Sequence, residues 1–411
     1  MRPLKLCFVC DFNSIHARKW VKYFCDRGDR VMVISSFAYP ETDYHGAPVF
    51  SIRKALPWDV LGRLGFRQPL KRVIGIAQRC LPDDLAWFVS GRQIANLENA
   101  QLRMNLDLVP AAAVTISRIV KEFRPDLIQA LRLYPEGLMA ANAGVSPLVL
   151  MAWGQDISLY AERYPDVANL VRQSLPACVA YFTDNRRDMK DALRYGLSPD
   201  VPQHITPSGG GVDTAALDGS GSVLSKSRPD CLMTYRRTGG IFIDNTPPVR
   251  AIAELRSELG VDTRFVIFGD CGGPYYDQVR IVAKRVGVID RVEFRPPFPY
   301  SELAARVAGY PLVVSSAVYD GTSNALLETM WLGGIPVCSD LEPIREWITD
   351  GENGFLFDLY DIRQIATKFK QAIDSYCEFE RMRALNREIV RERADYFRCM
   401  SRVRDIYQSL V

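Results

Sequence analysis

The sequence predicts an α/β protein built from two open parallel sheets, each wound with helices on both faces. Three observations carry this prediction. Short continuous apolar runs recur along the chain, beginning with "LKLCFVC" (4–10), and such runs mark strands buried on both faces. Segments of helical periodicity lie between them. At 411 residues the chain is too long for one hydrophobic core and suits two.

Taken in order, the first run is followed by "SIHARKWVKYFCDRG" (14–28). Ile15, Trp20, Val21 and Phe24 give it an apolar helical face, and Gly28 supplies the stop. "RVMVISS" (30–36) is the second strand and completes a βαβ unit. "ISRIVKEF" reads as a helix and "DLIQAL" (126–131) as a strand. "PLVLMAWG" (147–154) is a further strand that ends in a loop with Asp156. "CVAYFTD" and "HITPSGGGVD" complete the first half. The second half has strands at "DCLMTYR" (230–236), "RFVIFGD" (264–270), "RVEFRPPF" (291–298), "YPLVVSS" (310–316) and "IPVCSD" (335–340). Helical segments such as "PVRAIAELRSELG" and "YDQVRIVAKRVG" separate them. The halves meet near residue 212 at the turn-rich "PSGGGVD". The expected domains are therefore residues 1–212, with an insertion at about 38–107 that breaks the alternation, and 213–385. A helical segment at 386–411 follows.

Composition narrows the function. With 48% hydrophobic and 24% charged residues the chain reads as an ordinary globular protein. A formal net charge of +3 is too small to argue for nucleic acid. No run approaches the roughly 18 apolar residues that span a bilayer. The N-terminal apolar run ends at Asp11 without a small-residue cleavage site, so a strand and a cytoplasmic protein are expected rather than a signal peptide. The ten cysteines are scattered, and the C-x-x-C pair Cys7 and Cys10 falls within a strand-like run, which fits buried reduced thiols. His16, His45 and His204 form no ligand pattern, so no metal site is expected. No G-x-G-x-x-G follows the first strand, which argues against a nicotinamide oxidoreductase. In the insertion, Arg53, Lys54, Arg63, Arg67, Lys71, Arg72 and Arg79 stand against Asp59, with Trp58, Leu61, Leu64 and Phe66 interleaved. Basic 53–79 reads first as a solvated surface. Its second reading is a peripheral contact with an anionic membrane surface or a lipid-phosphate acceptor.

The chemistry concentrates in "YDGTSNALLETMWLGGIPVCSD" (319–340). A strand end, a small-residue loop and a helix start follow one another, at the end of a parallel sheet where ligands bind. The amides of Thr322, Ser323, Asn324 and Ala325 would open toward an anion such as a phosphate, or toward a polar sugar edge. Glu328, one turn into the helix, can accept two hydrogen bonds at once and so grip a vicinal diol such as a ribose. Asp320 can face another hydroxylated group. A sugar nucleotide satisfies all three features. The same residues also read as an N-capped helix with an acid favoured by the dipole.

Beyond this, nearly the whole chain outside 38–107 resembles the retaining glycosyltransferases of family 4, which have the GT-B fold of two Rossmann-like domains facing across a cleft. The acid-x7-acid motif of that family is matched by Asp320 and Glu328, and the following "GGIPVCSD" and "EPIREWITDGENGFLF" (342–357) match as well. "SIHARKW", "FRPDLIQALRLYPEGLMAA", "PLVLMAWGQDI" and "ITPSGGGVD" resemble its first domain. The resemblance implies sugar transfer from a nucleoside diphosphate sugar, UDP- or GDP-linked, with retention of configuration, no metal and no other cofactor. The acceptor would be a glycan, a lipid-linked or a small molecule. Closure of the domains would exclude water. The last helix would pack back on the first domain, and a cytoplasmic place at the inner face of the membrane would follow.

Residue by residue, the resemblance gives Glu328 the ribose and Asp320, where glutamate is usual, a place near the transferred sugar. The loop from Gly321 through Thr322 and Ser323 to Asn324 would contact sugar and phosphates. Arg236 or Arg237 matches the family's phosphate-binding arginine, but the lysine that accompanies it is missing, since no lysine occurs between Lys226 and Lys284. On the acceptor side, Asn13 and Ser14 stand where the family brings a glycine-bearing loop over the phosphates. Trp153 replaces a histidine ahead of Gly154, Gln155 and Asp156, offering a flat face and one N–H donor. Trp153 reads equally as a core residue, and Asp11 and Asp156 read as hydroxyl-orienting groups or as caps. The departures leave room for a rival, a non-catalytic GT-B protein that binds a nucleotide sugar or a glycan, and for a sugar-nucleotide epimerase.

Overall fold

The computed structural model describes residues 2–40, 42–52, 102–218, 231–235, 242–258, 263–269 and 274–411. The basic stretch 53–79, most of the 38–107 insertion, and Arg236 and Arg237 lie outside these residues. The described residues fall into two compact units. The first holds residues up to 211 and 394–411; the second holds 212–393.

The sheet of the first unit contains β1 (Lys5–Cys10), β2 (Arg30–Ser35), β3 (Thr42–Tyr44), β4 (Ala47–Ser51), β5 (Leu127–Leu131), β6 (Leu148–Ala152), β7 (Cys178–Thr183) and β8 (Gln203–Ile205). Its order is β3-β4-β2-β1-β5-β6-β7-β8, parallel throughout except for β3. Alternate residues of each strand feed opposite faces. Cys7, Val9, Ile34, Ile128 and Leu150 pack on one side with Ile116, while Leu6, Phe8, Val33, Leu127 and Phe182 pack on the other with Trp20 and Phe24. That is why these strands read as continuous apolar runs. The thiols of Cys7 and Cys10 are buried within them, and burial pushes Cys7 up to about 12, where it is inert at neutral pH.

Two features differ from the sequence reading. The expected insertion begins with a hairpin that belongs to the sheet. β4 pairs with β2, and β3 with β4, across a two-residue turn in which His45 and Gly46 have φ of 53° and 84°. Positive φ at both positions is the turn geometry that suits the strand twist, and Asp43 supports it by accepting the Gly46 amide at 2.6 Å. Short, half-exposed edge strands lack the apolar run that betrays the central ones. The second difference is the return of the chain to the first unit at Ala394, not at 386. The helix Phe379–Arg393 stays with the second unit, and a separate helix, Tyr396–Ser409, starts at Asp395, whose carboxylate accepts the Arg398 amide at 3.0 Å.

That last helix is built into the first unit. Tyr407 stacks on Phe24 at 5.2 Å and donates to Gln129 Oε1 at 2.6 Å. Arg404 grips the buried carboxylate of Asp29 through two bonds of 2.9 and 3.0 Å, and Asp29 also accepts the Leu4 amide at 2.8 Å.

The sheet of the second unit contains β9 (Cys231–Thr234), β10 (Arg264–Phe268), β11 (Val292–Arg295), β12 (Leu312–Ser315), β13 (Ile335–Ser339) and β14 (Phe355–Phe357). All are parallel in the order β11-β10-β9-β12-β13-β14, the arrangement of a dinucleotide-binding sheet, with its reversal between β9 and β12. β14 has only three residues behind a turn-rich stretch and gave no strand signal of its own.

Arg404→Ala is predicted to leave Asp29 buried and charged and to cost about 3 kcal/mol. Urea unfolding of the full chain should show the loss, and Arg404→Lys should recover only part of it, because an ammonium cannot span both carboxylate oxygens.

Candidate active site

In the second unit, two loops close side by side over the reversal point. The chain beyond β12 pairs with the segment that precedes the helix Thr246–Glu258: Asp244 N donates to Ser316 O at 3.0 Å and Val318 N to Phe242 O at 2.8 Å. Ser316 Oγ donates to the buried Asn245 side chain at 2.6 Å. Asp244 in turn accepts the Thr246 amide at 2.8 Å and starts that helix.

The helix Asn324–Leu332 begins where these loops end. Ser323 caps it by accepting the Leu326 amide at 3.4 Å, and Gly333 ends it at a φ of +85°. Gly334 is required for packing, since a Cβ there would lie 2.9 Å from Thr329 Cγ2. The first turn is fixed from three sides. Tyr235, at the end of β9, donates to Ala325 O at 2.6 Å and lies 3.0 Å from Thr329 Oγ1. Trp347 donates its indole N–H to Thr322 Oγ1 at 3.2 Å. Asp320 is buried, and its Oδ1 accepts the Gly321 amide at 3.1 Å. The Gly321 amide is therefore directed at Asp320, and the Leu326 amide at the Ser323 side chain. Glu328 is half-buried, and its Oε1 accepts the hydroxyl of Tyr300 at 3.0 Å. Burial, and then the Glu328 carboxylate, push that phenol up from its ordinary value. The structure thus brings Asp320, Thr322, Ser323, Asn324 and Glu328 to one end of one helix. Of the residues that hold them, Trp347 lies within the 342–357 match, whereas Tyr235 and Tyr300 were not singled out in the sequence.

In the first unit the sheet reverses between β1 and β5. Asp11 follows β1, and Arg132 follows β5 at a φ of +110°, a conformation that a non-glycine residue keeps only when its surroundings impose it. Arg132 bonds buried Glu136 at 2.8 Å and lies 3.8 Å from Asp11 Oδ2. Glu136 also accepts Ser36 Oγ at 2.5 Å. Asn13 is exposed and bonds Asp11 Oδ1 through its amide N–H (3.0 Å) and its side chain (3.1 Å). Ser14 takes the N-cap position of the helix Ile15–Asp26, with no side-chain cap bond. Trp153 is half-buried with its ring edge-on to His16. Its indole N–H is turned back onto Met151 Sδ at 3.1 Å, and its ring packs in part against the apolar core of the first unit.

Of the two roles that its sequence allows, a hydroxyl-orienting group or a cap, Asp156 makes the contacts of a cap. It is buried, and its Oδ2 accepts the amides of Leu133 (2.8 Å) and Trp153 (3.1 Å), so it ties the loop after β5 to the loop after β6. Burial pushes it up to about 7, against the pull of Arg132 and the two amides. Arg187 holds the other side of this loop, donating to Gly154 O at 2.7 Å and to Ser158 Oγ at 3.1 Å while paired with buried Asp188.

Comparison with known proteins agrees with this layout. Residues 249–389 match the family model described as glycosyl transferases group 1. No curated protein sequence matches the chain. Among solved structures, HepE of Anabaena in complex with UDP is similar at a TM-score of 0.69 and 14% identity, over 99% of this chain and 100% of that one. The sucrose-phosphate synthase of Thermosynechococcus elongatus gives 0.72 and 12%, over 99% of each chain. A UDP-forming alpha,alpha-trehalose-phosphate synthase from Burkholderia xenovorans gives 0.69 and 11%, again over 99% of each. The chain has the GT-B fold. By the family match its second unit is a glycosyltransferase domain, and the chain is a glycosyltransferase. In this GT-B chain the matched segment begins in the helix Thr246–Glu258 and takes in the whole Asp320–Glu328 loop and helix.

The raised Asp156 sets a sign for the pH dependence of stability. Its folded value of about 7 lies above the ordinary carboxylate near 4, so its contribution is full at low pH and is lost as pH rises between these values. The stability of wild type minus that of Asp156→Asn is predicted to fall from pH 4 to pH 7 and then level off, on the order of 1 kcal/mol per pH unit at most. Denaturant titrations of both proteins across that range would read it; a flat difference would refute the assignment.

Proposed function

We propose that the chain moves a sugar from a nucleoside diphosphate sugar, UDP-linked in the first instance, to a hydroxylated acceptor, with retention at the anomeric carbon, as expected of family 4. The observation that carries this reading is the pairing of Asp320 and Glu328 at the open end of the helix Asn324–Leu332, on the reversal point of a dinucleotide-type sheet. Glu328, with one oxygen steadied by Tyr300, holds a ribose diol. The helix end takes the diphosphate. Arg236 and Arg237 add positive charge there, in place of the missing lysine. As the diphosphate departs, its growing charge meets fixed amides and arginines, so transfer proceeds without a metal ion or other cofactor. The sugar becomes oxocarbenium-like, and Asp320 faces its hydroxyl groups. Solved complexes of HepE with UDP and with UDP-glucose share the fold and support the choice of donor.

On this reading the first unit takes the acceptor, a glycan, a lipid-linked or a small molecule, with Asn13, Ser14 and Trp153 around it and Asp156 holding their loops. Basic 53–79 supplies a peripheral membrane contact on the cytoplasmic side. Among the described residues no helix is long and apolar enough to cross a membrane.

Thermal unfolding in the presence of UDP, GDP, ADP and TDP, with their sugar conjugates, tests the donor site. One nucleotide series should raise the wild-type midpoint, since a ligand of the folded form stabilises by mass action. Glu328→Ala should abolish the shift, and Tyr300→Phe should weaken nucleotide affinity by about threefold to tenfold, the worth of one hydrogen bond. No response to any nucleotide would overturn the reading. Binding without release of diphosphate from any donor–acceptor pair would leave a non-catalytic sugar-nucleotide binder in its place.

A further inference from the structure

The reversal point of the first sheet has a charge balance that its sequence motifs do not announce. Arg132 is the cation at its centre; one of its terminal nitrogens meets both neighbouring acids, and its buried Nε has no hydrogen-bond partner. Glu136 lies 2.8 Å from it and Asp11 3.8 Å. Glu136 is fully buried, and its second oxygen has no hydrogen-bond partner. Nearby Arg187 is matched by the buried carboxylate of Asp188. An incoming phosphate or carboxylate would compete with these acids beside Arg132, where the carboxylates of Asp11, Glu136 and Asp188 outnumber the two guanidinium groups.

Asp11 offers the opposite chemistry. Its side chain is partly exposed. Its Oδ1 receives both Asn13 N–H groups, which fix the carboxylate plane. Among the described residues its Oδ2 makes no bond shorter than the 3.8 Å ion pair with Arg132, and it can accept a hydroxyl hydrogen. The half-buried Trp153 ring, on the loop tied down by Asp156 and Arg187, lies at the same end of the sheet. A sugar ring is bound by a carboxylate that accepts and an aromatic face that packs.

We propose that the first unit binds a neutral compound bearing several hydroxyl groups through Asp11 Oδ2, beside Arg132 and Trp153, and discriminates against phosphorylated or carboxylated compounds. This rests on the reading of the first unit as the acceptor side and narrows the acceptor class within it. A free sugar and the sugar end of a glycolipid share this chemistry.

The test is equilibrium binding to the full chain, by titration calorimetry or ligand-observed NMR, of glucose, N-acetylglucosamine and an alkyl glucoside against glucose 6-phosphate and glucuronic acid. A neutral member should bind most tightly, with the alkyl glucoside ahead if the source is a glycolipid. In Asp11→Asn, with circular dichroism showing the fold retained, the neutral ligand should lose about tenfold in affinity, the loss of a bond to a charged group. Glucose 6-phosphate should gain about threefold as Arg132 loses a competitor. A purely structural role for Asp11 would not reverse the preference. Tighter binding of an anionic member by wild type, no binding of any neutral member, or an unchanged neutral affinity in Asp11→Asn would overturn the proposal. If Asp11→Asn does not fold, the wild-type ranking alone decides. Loss of the UDP response in the preceding section would instead count against the donor site and leave this ranking intact.

Discussion

A parallel sheet wound outward in both directions from its middle cannot cover the carboxyl ends of its two central strands. The crossover from each strand must leave toward opposite sides, and a crevice remains where the direction reverses. Both units of this protein are built on that constraint. In one the crevice opens beyond β1 and β5, in the other beyond β9 and β12. Among the described residues, Asp11 and Asp320 sit on loops beyond these strands, Trp153 on the loop beyond β6 and Glu328 on the helix that follows Asp320, and the apolar strands beneath, buried on both faces, fix them in place.

The two crevices differ in what they present. In the second unit the helix Asn324–Leu332 turns its positive end to the reversal point, braced by Ser323, Tyr235 and Trp347. That end suits a diphosphate, and the half-buried Glu328 suits a diol beside it. At the reversal point of the first unit the guanidinium of Arg132 lies beside two acids, Glu136 and Asp11. The strained backbone of Arg132 is held by this network and by Asp156, which bonds the very next amide, that of Leu133. On the proposed reading one unit takes a charged donor and the other an uncharged acceptor.

Much of this was legible in the sequence, because strands buried on both faces are written as uninterrupted apolar runs and the helix Asn324–Leu332 announces itself by Ser323 before it and Gly333 after it. The hairpin Thr42–Ser51 was not legible: its strands lie at an edge, half-exposed, and their pairing depends on positive φ at His45 and Gly46. The return at Ala394 was hidden because two helices abut there, with only Asp395 to mark the break. At the sites, acids with a fixed spacing could be found, but their supports could not. Tyr300 reaches Glu328 across 28 residues of chain, and Ser36 reaches Glu136 across 100. Such contacts are set by packing and carry no local signal. Asp156 left two readings open in the sequence, a hydroxyl-orienting group or a cap, and its bonds to two backbone amides are those of a cap.

The most direct measurement of retaining transfer needs no knowledge of the acceptor, because water can serve as one. Incubation with UDP-glucose, followed by proton NMR within the first minutes, reads both the release of UDP and the anomer of the glucose set free before it mutarotates. Retention at the α-linked donor predicts UDP together with the α anomer, lost in Glu328→Ala. Release of the β anomer would contradict retention.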